Sequence, residues 1–121
     1  MIDFENADFL KLRRDESLYK TIEPLLIPGE EVIGCYRTVR DGVAFTDRRI
    51  ITVNIQGVGK KRDFTTLPYS RIQAYSIETS GVMDIDSELS LYFSTLGQVR
   101  FEFFGSSDIL KIQRIIADHL F

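Results

Sequence analysis

The stretch Gly57-Val58-Gly59-Lys60-Lys61-Arg62 sets two glycines, which free backbone amides, directly before three cations, a pattern able to cradle an anion. It is not a magnesium-nucleotide loop. Asn54 stands where the first glycine of that motif belongs, and Lys61 replaces the Ser or Thr that would ligate magnesium. The competing reading is a solvated hairpin loop whose charges discourage edge pairing. With the arginines upstream, the candidate anion-binding set is Arg37, Arg40, Arg48, Arg49, Lys60, Lys61 and Arg62. Asp84, Asp86 and Glu88 alternate like the first half of a calcium loop, but Leu89 stands where the turn needs Gly, which makes them an acidic rim. His119, beside Asp118 near the chain end, suits the negative end of a helix dipole. Cys35 has no partner histidine and reads as packing. No Gly-x-Ser-x-Gly, Cys-x-x-Cys or His-x-x-x-His occurs, and one Cys with one His excludes an internal disulfide, a four-cysteine zinc site and most metal-hydrolase schemes. The expectation is a protein without catalytic residues, cofactor or metal.

The elements that must position these residues follow from patterning. At 121 residues, 44% hydrophobic and 27% charged, the chain suits one globular domain large enough to need no staple. A net charge of −3 argues against a nucleic-acid partner. Neither a signal peptide nor an apolar run of spanning length is visible, so the expected location is the cytoplasm and membrane contact is not favoured.

Residues 1–30 read as a helical N-terminal extension packed on a domain of residues 31–121, the whole forming a single domain. In the extension Phe9, Leu12, Tyr19, Ile22 and Leu26 fall at helix-like intervals, Asp15 or Ser17 is the cap, and Pro24 kinks or ends the helix. From Val32 the texture becomes strands and turns: Glu31–Arg40, an Asp41-Gly42 hairpin, Val43–Thr46, a tight turn at Asp47-Arg48, Arg49–Ile55, Lys61–Leu67 and Ile72–Ser80. Glu88–Ser94 and Gln98–Phe104 follow, with Leu89, Leu91 and Phe93 against Val99, Phe101 and Phe103, the clearest period of two in the chain. Phe45 and Ile51, either side of the Asp47-Arg48 turn, are expected to face one core. Ser107 is the expected N-cap of a last helix, Asp108 complements its dipole, and Ile109, Ile112, Ile116 and Leu120 form its apolar stripe.

Seven antiparallel strands and a closing helix give a mainly β fold. Pro28-Gly29-Glu30-Glu31-Val32-Ile33, Phe45-Thr46-Asp47-Arg48-Arg49-Ile50-Ile51 and Leu67-Pro68-Tyr69-Ser70-Arg71-Ile72, in that order, resemble the bacterial pleckstrin-homology family of small stand-alone proteins over about residues 25–121. The resemblance implies a PH-like barrel of two sheets, four strands and three, plugged by the helix, and a habit of assembling into ring-shaped homo-oligomers. The lipid function associated with this fold depends on a long first loop. Here that loop is the short Asp41-Gly42 connection, too small to wrap a polyphosphorylated head group and carrying an anion of its own. The Phe45–Ile51 segment therefore reads as a fold-defining corner.

Charge is banded: −4 over residues 1–31, +5 over 32–62 and −4 over 63–104. A head-to-tail contact could set basic against acidic, and such a contact repeats until a ring closes, with five subunits the expected number. The leading reading is a non-enzymatic interaction or scaffold module that assembles with itself and recruits another protein. The alternative is peripheral binding of an anionic lipid or phosphate ligand through the basic band.

Overall fold

The computed structural model describes residues 3–4, 11–56, 61–79 and 86–121. Among them are eight strands and two α-helices: β1 (Arg13–Arg14), α1 (Tyr19–Ile22), β2 (Val32–Arg37), β3 (Asp41–Thr46), β4 (Arg49–Gln56), β5 (Lys61–Pro68), β6 (Ala74–Thr79), β7 (Ser87–Phe93), β8 (Gly97–Phe103) and α2 (Ile109–Leu120). Every strand pair is antiparallel. One sheet runs β1-β2-β3-β4-β5 and the other β6-β7-β8. The extra strand beyond the expected seven, and the five-plus-three division in place of four-plus-three, come from Arg13 and Arg14, which pair with Arg37 and Tyr36.

Leu12 does not join a helical stripe. Its N–H donates to the Glu102 carbonyl (2.9 Å) and its own carbonyl accepts from Phe104 N–H (2.8 Å), so extended backbone laces the β8 edge to the first sheet. Among the described residues β5 and β6 each have a single strand neighbour, which leaves the opposite seam open. Alternation sends one face of both sheets inward, where Tyr36, Phe45, Leu89, Leu91, Phe101 and Phe103 are buried with Ile109, Ile112 and Ile116 of α2, and Leu120 packs against them. Phe45 contacts Phe101 edge-on (5.6 Å between centroids) and Tyr36 contacts Phe103 likewise (4.9 Å), the geometry ring quadrupoles prefer.

The other face of the first sheet is buried as well. Leu18 and Ile22, from the helical segment after Asp15, cover Cys35, Ala44, Ile51 and Val53. This corrects the expectation that Phe45 and Ile51 share a core: the register pairs Phe45 with Ile50, so Ile51, one residue on, points to the opposite side with Ala44. Asp41 and Gly42 likewise belong to a strand. The turn is Val39-Arg40, closed by Thr38 N–H on the Asp41 carbonyl (2.8 Å), while Asp41 accepts from the Asn54 amide. Gly42 serves close packing: a Cβ there would stand 2.8 Å from Leu18.

In the N-terminal segment Asp15 caps the turn Glu16–Leu18 by accepting from Ser17 N–H (3.0 Å). α1 ends at Ile22 and Pro24 lies in a 3₁₀ turn, Glu23–Leu25, as its missing N–H requires. At α2 the N-cap is Asp108, not Ser107, whose hydroxyl instead meets that of Ser87 (3.3 Å). Among the described residues no helix is long and apolar enough to cross a membrane.

Candidate functional site

The three segments that carried the family resemblance meet in one polar corner. The Glu30 side chain is fully covered, and Arg49 grips it with two bonds, Nε to Oε2 and Nη2 to Oε1, both 2.9 Å. Nη2 also donates to the Leu25 carbonyl (2.7 Å) and Nη1 to Thr66 Oγ1 (3.1 Å). Thr46 Oγ1 donates to Glu30 (2.7 Å) and accepts the N–H groups of Arg48 and Arg49 (3.0 Å each), which closes the Asp47-Arg48 turn. Asp47 accepts from Glu31 N–H (2.9 Å), and the Tyr69 hydroxyl donates to the Thr46 carbonyl (2.7 Å). From the far end of the chain, His119 Nε2 donates to the Asp47 carbonyl (2.9 Å).

Electrostatics follow this geometry. The Arg49 guanidinium holds the Glu30 carboxyl down at about 2 against the opposing effect of burial, with the Thr46 hydroxyl and Ile27 amide assisting. Burial drives the Tyr69 hydroxyl upward, and it stays a neutral donor. The Glu30–Arg49 pair at the centre of the corner is satisfied inside the protein and ties three stretches of chain together.

A second knot ties α2 to the strands. The Tyr36 hydroxyl donates to Asp108 Oδ2 and accepts from Asp108 N–H (2.9 Å each), and Arg14 completes it at 2.8 Å from the same carboxylate. Cys35 is buried, and desolvation, with Glu16 and Asp15 nearby, pushes its thiol up to about 12, far from a reactive thiolate.

The basic band divides. Arg37 and Arg40 flank the β2–β3 turn, and Lys61 and Arg62 lie at that same end of the sheet, exposed on β5. Arg48 and Arg49 stand at the opposite end, where Arg49 is committed to Glu30. Lys60 and the glycines of its loop lie outside the described residues, as does Asp84. Asp86 accepts from Gly105 N–H (2.9 Å) and Glu88 approaches Arg100 (3.8 Å); no group of three potential metal ligands exists among the described residues.

Two surface features were not legible in the sequence. Beside the β2–β3 turn a groove of about 620 Å³ is lined by Lys11, Arg13, Arg14 and Arg37, with Asp15 and Phe104. On the outer face of the second sheet Glu78, Glu88 and Glu102 lie directly across from one another on β6, β7 and β8. Both depend on strand register: Arg13 and Arg37 are 24 positions apart, and no local pattern pairs them.

Two antiparallel sheets, laced on one side and closed by a C-terminal helix, define a PH-like domain. The comparisons agree. The profile of the bacterial PH domain family matches residues 4–120, and the chain belongs to that family. It is 41% identical over 96 residues to the uncharacterized protein YjqA of Bacillus subtilis strain 168, covering 77% of each chain. It is 31% identical over 101 residues to YozO of the same organism, covering 84% of this chain and 88% of the relative. Among solved structures it is similar to a DUF1696 family protein with a pleckstrin-homology domain from Shewanella loihica PV-4, at a TM-score of 0.71, 30% identity, and coverage of 93% of this chain and 99% of the other. A pleckstrin homology domain from Shewanella amazonensis SB2B gives a TM-score of 0.58 at 32% identity, over 96% and 90%.

Proposed function

We propose that this protein is a non-enzymatic cytoplasmic interaction module that assembles with itself, head to tail, into a closed ring. One observation carries the reading: two strand edges that are unpaired among the described residues, and whose exposed ends differ in charge, flank the open seam. On β5 the exposed Lys61 and Arg62 stand near the edge's start; on β6, Glu78 is exposed near its end. An unpaired edge is a template for another strand, and β6 carries little that would repel one: its exposed residues before Glu78 are Ala74 and Ser76. An edge of one copy set on the unlike edge of the next is a heterologous contact, which repeats until rotation closes it. Five subunits is the ring we expect. The polar corner is consistent with a non-catalytic role, since Glu30 and Arg49 are spent on each other and Tyr69 and His119 on backbone carbonyls.

Size-exclusion chromatography with light scattering tests this. The expected mass is an integer multiple of 13.9 kDa. Glu78→Lys, or Lys61→Glu with Arg62→Glu, should each reduce it to one chain, and combining the three changes should restore the assembly. A wild-type mass of one chain at micromolar concentration and low salt overturns the proposal.

A further inference from the structure

The groove beside the β2–β3 turn holds more positive charge than the carboxylates around it balance among the described residues. Arg13 and Arg37 are directly opposed in the β1–β2 ladder, so both side chains leave the same face of the sheet. Like charges so placed repel, and nothing in the fold requires the pairing of two arginines. The neighbouring cation Arg14 is satisfied by Asp108 at 2.8 Å, and Tyr36 lies under its guanidinium. Arg13 has no such carboxylate among the described residues; its guanidinium lies over the Phe104 ring, 5.3 Å from the centroid. Lys11 stands exposed at the groove margin.

Arg37 is the more telling case. Its Nε is covered from solvent and has no hydrogen-bond partner among the described residues, a state that costs free energy unless something accepts from it. Among the described residues its carboxylate partner is Asp15, whose Oδ2 makes a long ion pair with Nε at 4.0 Å, beyond hydrogen-bond reach. The other oxygen, Asp15 Oδ1, accepts from the backbone N–H and hydroxyl of Ser17, bonds that, with the Arg37 charge, hold its carboxyl below the usual range. Since Arg14 is matched by Asp108, the cations Lys11, Arg13 and Arg37 face the single carboxylate of Asp15 among the described residues lining a groove of about 620 Å³, and the Arg37 Nε has no hydrogen-bond acceptor among them.

We propose that this groove seats a phosphate monoester, bridged between the guanidinium groups of Arg13 and Arg37 with Lys11 at the margin. Two planar forks call for several acceptor oxygens and more than one negative charge, which a phosphate monoester supplies and a single carboxylate does not. The seat differs from the seven-cation band read from the sequence, sharing only Arg37 with it. It is independent of strand-edge assembly, because β5 and β6 contribute nothing to it. The same chemistry is offered by a soluble phosphorylated molecule and by a lipid head group. Val39, almost wholly exposed at the tip of the adjoining turn, would face a lipid surface in the second case.

The test has a soluble arm and a vesicle arm. Calorimetric titration with glycerol 3-phosphate at low salt measures the first, and co-sedimentation with phosphatidylcholine vesicles with or without phosphatidic acid measures the second. Saturable binding in the soluble arm alone assigns a free phosphate compound; phosphatidic-acid-dependent sedimentation assigns a head group. In either arm Arg13→Gln and Arg37→Gln should each weaken binding by roughly tenfold or more, since a charge-assisted pair is lost. Arg100→Gln, on the other sheet, should leave it unchanged. Without ligand, Arg13→Gln should melt no lower than the wild type, because the cross-strand repulsion is gone. The proposal is overturned if the wild type binds in neither arm at millimolar phosphate, or if both groove variants bind as the wild type does.

Discussion

Single residues decide the stability of the corner. Glu30 is gripped by Arg49 through two bonds and by Thr46 through a third, and its carboxyl is held near 2 against an ordinary value of 4.5. The unfolded chain therefore takes up this proton first. The ion pair's contribution is complete above about pH 5 and is lost as the pH falls toward 2, to the extent of about 2–3 kcal/mol. Glu30→Gln should cost about 2–4 kcal/mol at neutral pH, because the largely covered Arg49 loses its counter-charge. It should also flatten the fall in stability below pH 5. Urea titrations at several pH values check both effects, and a variant whose pH dependence matches the wild type would show that the acid sensitivity arises elsewhere.

At the scale of elements, the last helix is the clearest case of pattern turned into packing. Ile109, Ile112 and Ile116 recur at spacings of three and four and are buried at 2%, 0% and 0% exposure in the same cluster as the β7–β8 hairpin. Its N-terminus is fixed by Asp108 to Tyr36 and Arg14, and its C-terminal turn by His119 to Asp47. Ile112→Ala removes buried methyl and methylene groups from between helix and sheets and should cost about 2–5 kcal/mol in urea unfolding. A loss below about 0.5 kcal/mol would mean that the helix is not docked. The N-terminal segment plays the matching part on the outer face of the first sheet, where β3 is buried on both sides in consequence.

At the scale of the molecule, the proposed assembly rests on opposite charges on two strand edges together with backbone pairing, and the two respond differently to salt. Raising salt to molar strength shortens the Debye length to about 3 Å, which weakens the attraction of Lys61 and Arg62 for Glu78 and leaves backbone hydrogen bonds in place. Light scattering across a salt series at fixed protein concentration should therefore show the assembly loosening without unfolding. A mass that holds constant to molar salt would assign the contact to backbone and apolar surface, and an edge substitution such as Ser76→Arg would then be the change that disrupts it.

The residues alone determined what rests on short repeats: the period of two through β7 and β8, the three-and-four stripe of α2 and the Asp47-Arg48 turn. Those signals translate into faces and turns within a few residues of themselves. The motif around Phe45–Ile51 was legible as a corner, yet its reason was not, because Arg49 finds Glu30 across 19 positions and His119 reaches Asp47 across 72. Only the tertiary structure decided that Leu12 is extended, that Asp41-Gly42 is strand and not turn, that Ile51 faces away from Phe45, and that Arg13 stands opposite Arg37. Each of these depends on strand register, and a slip of one residue exchanges the two faces of a strand while its local composition stays the same.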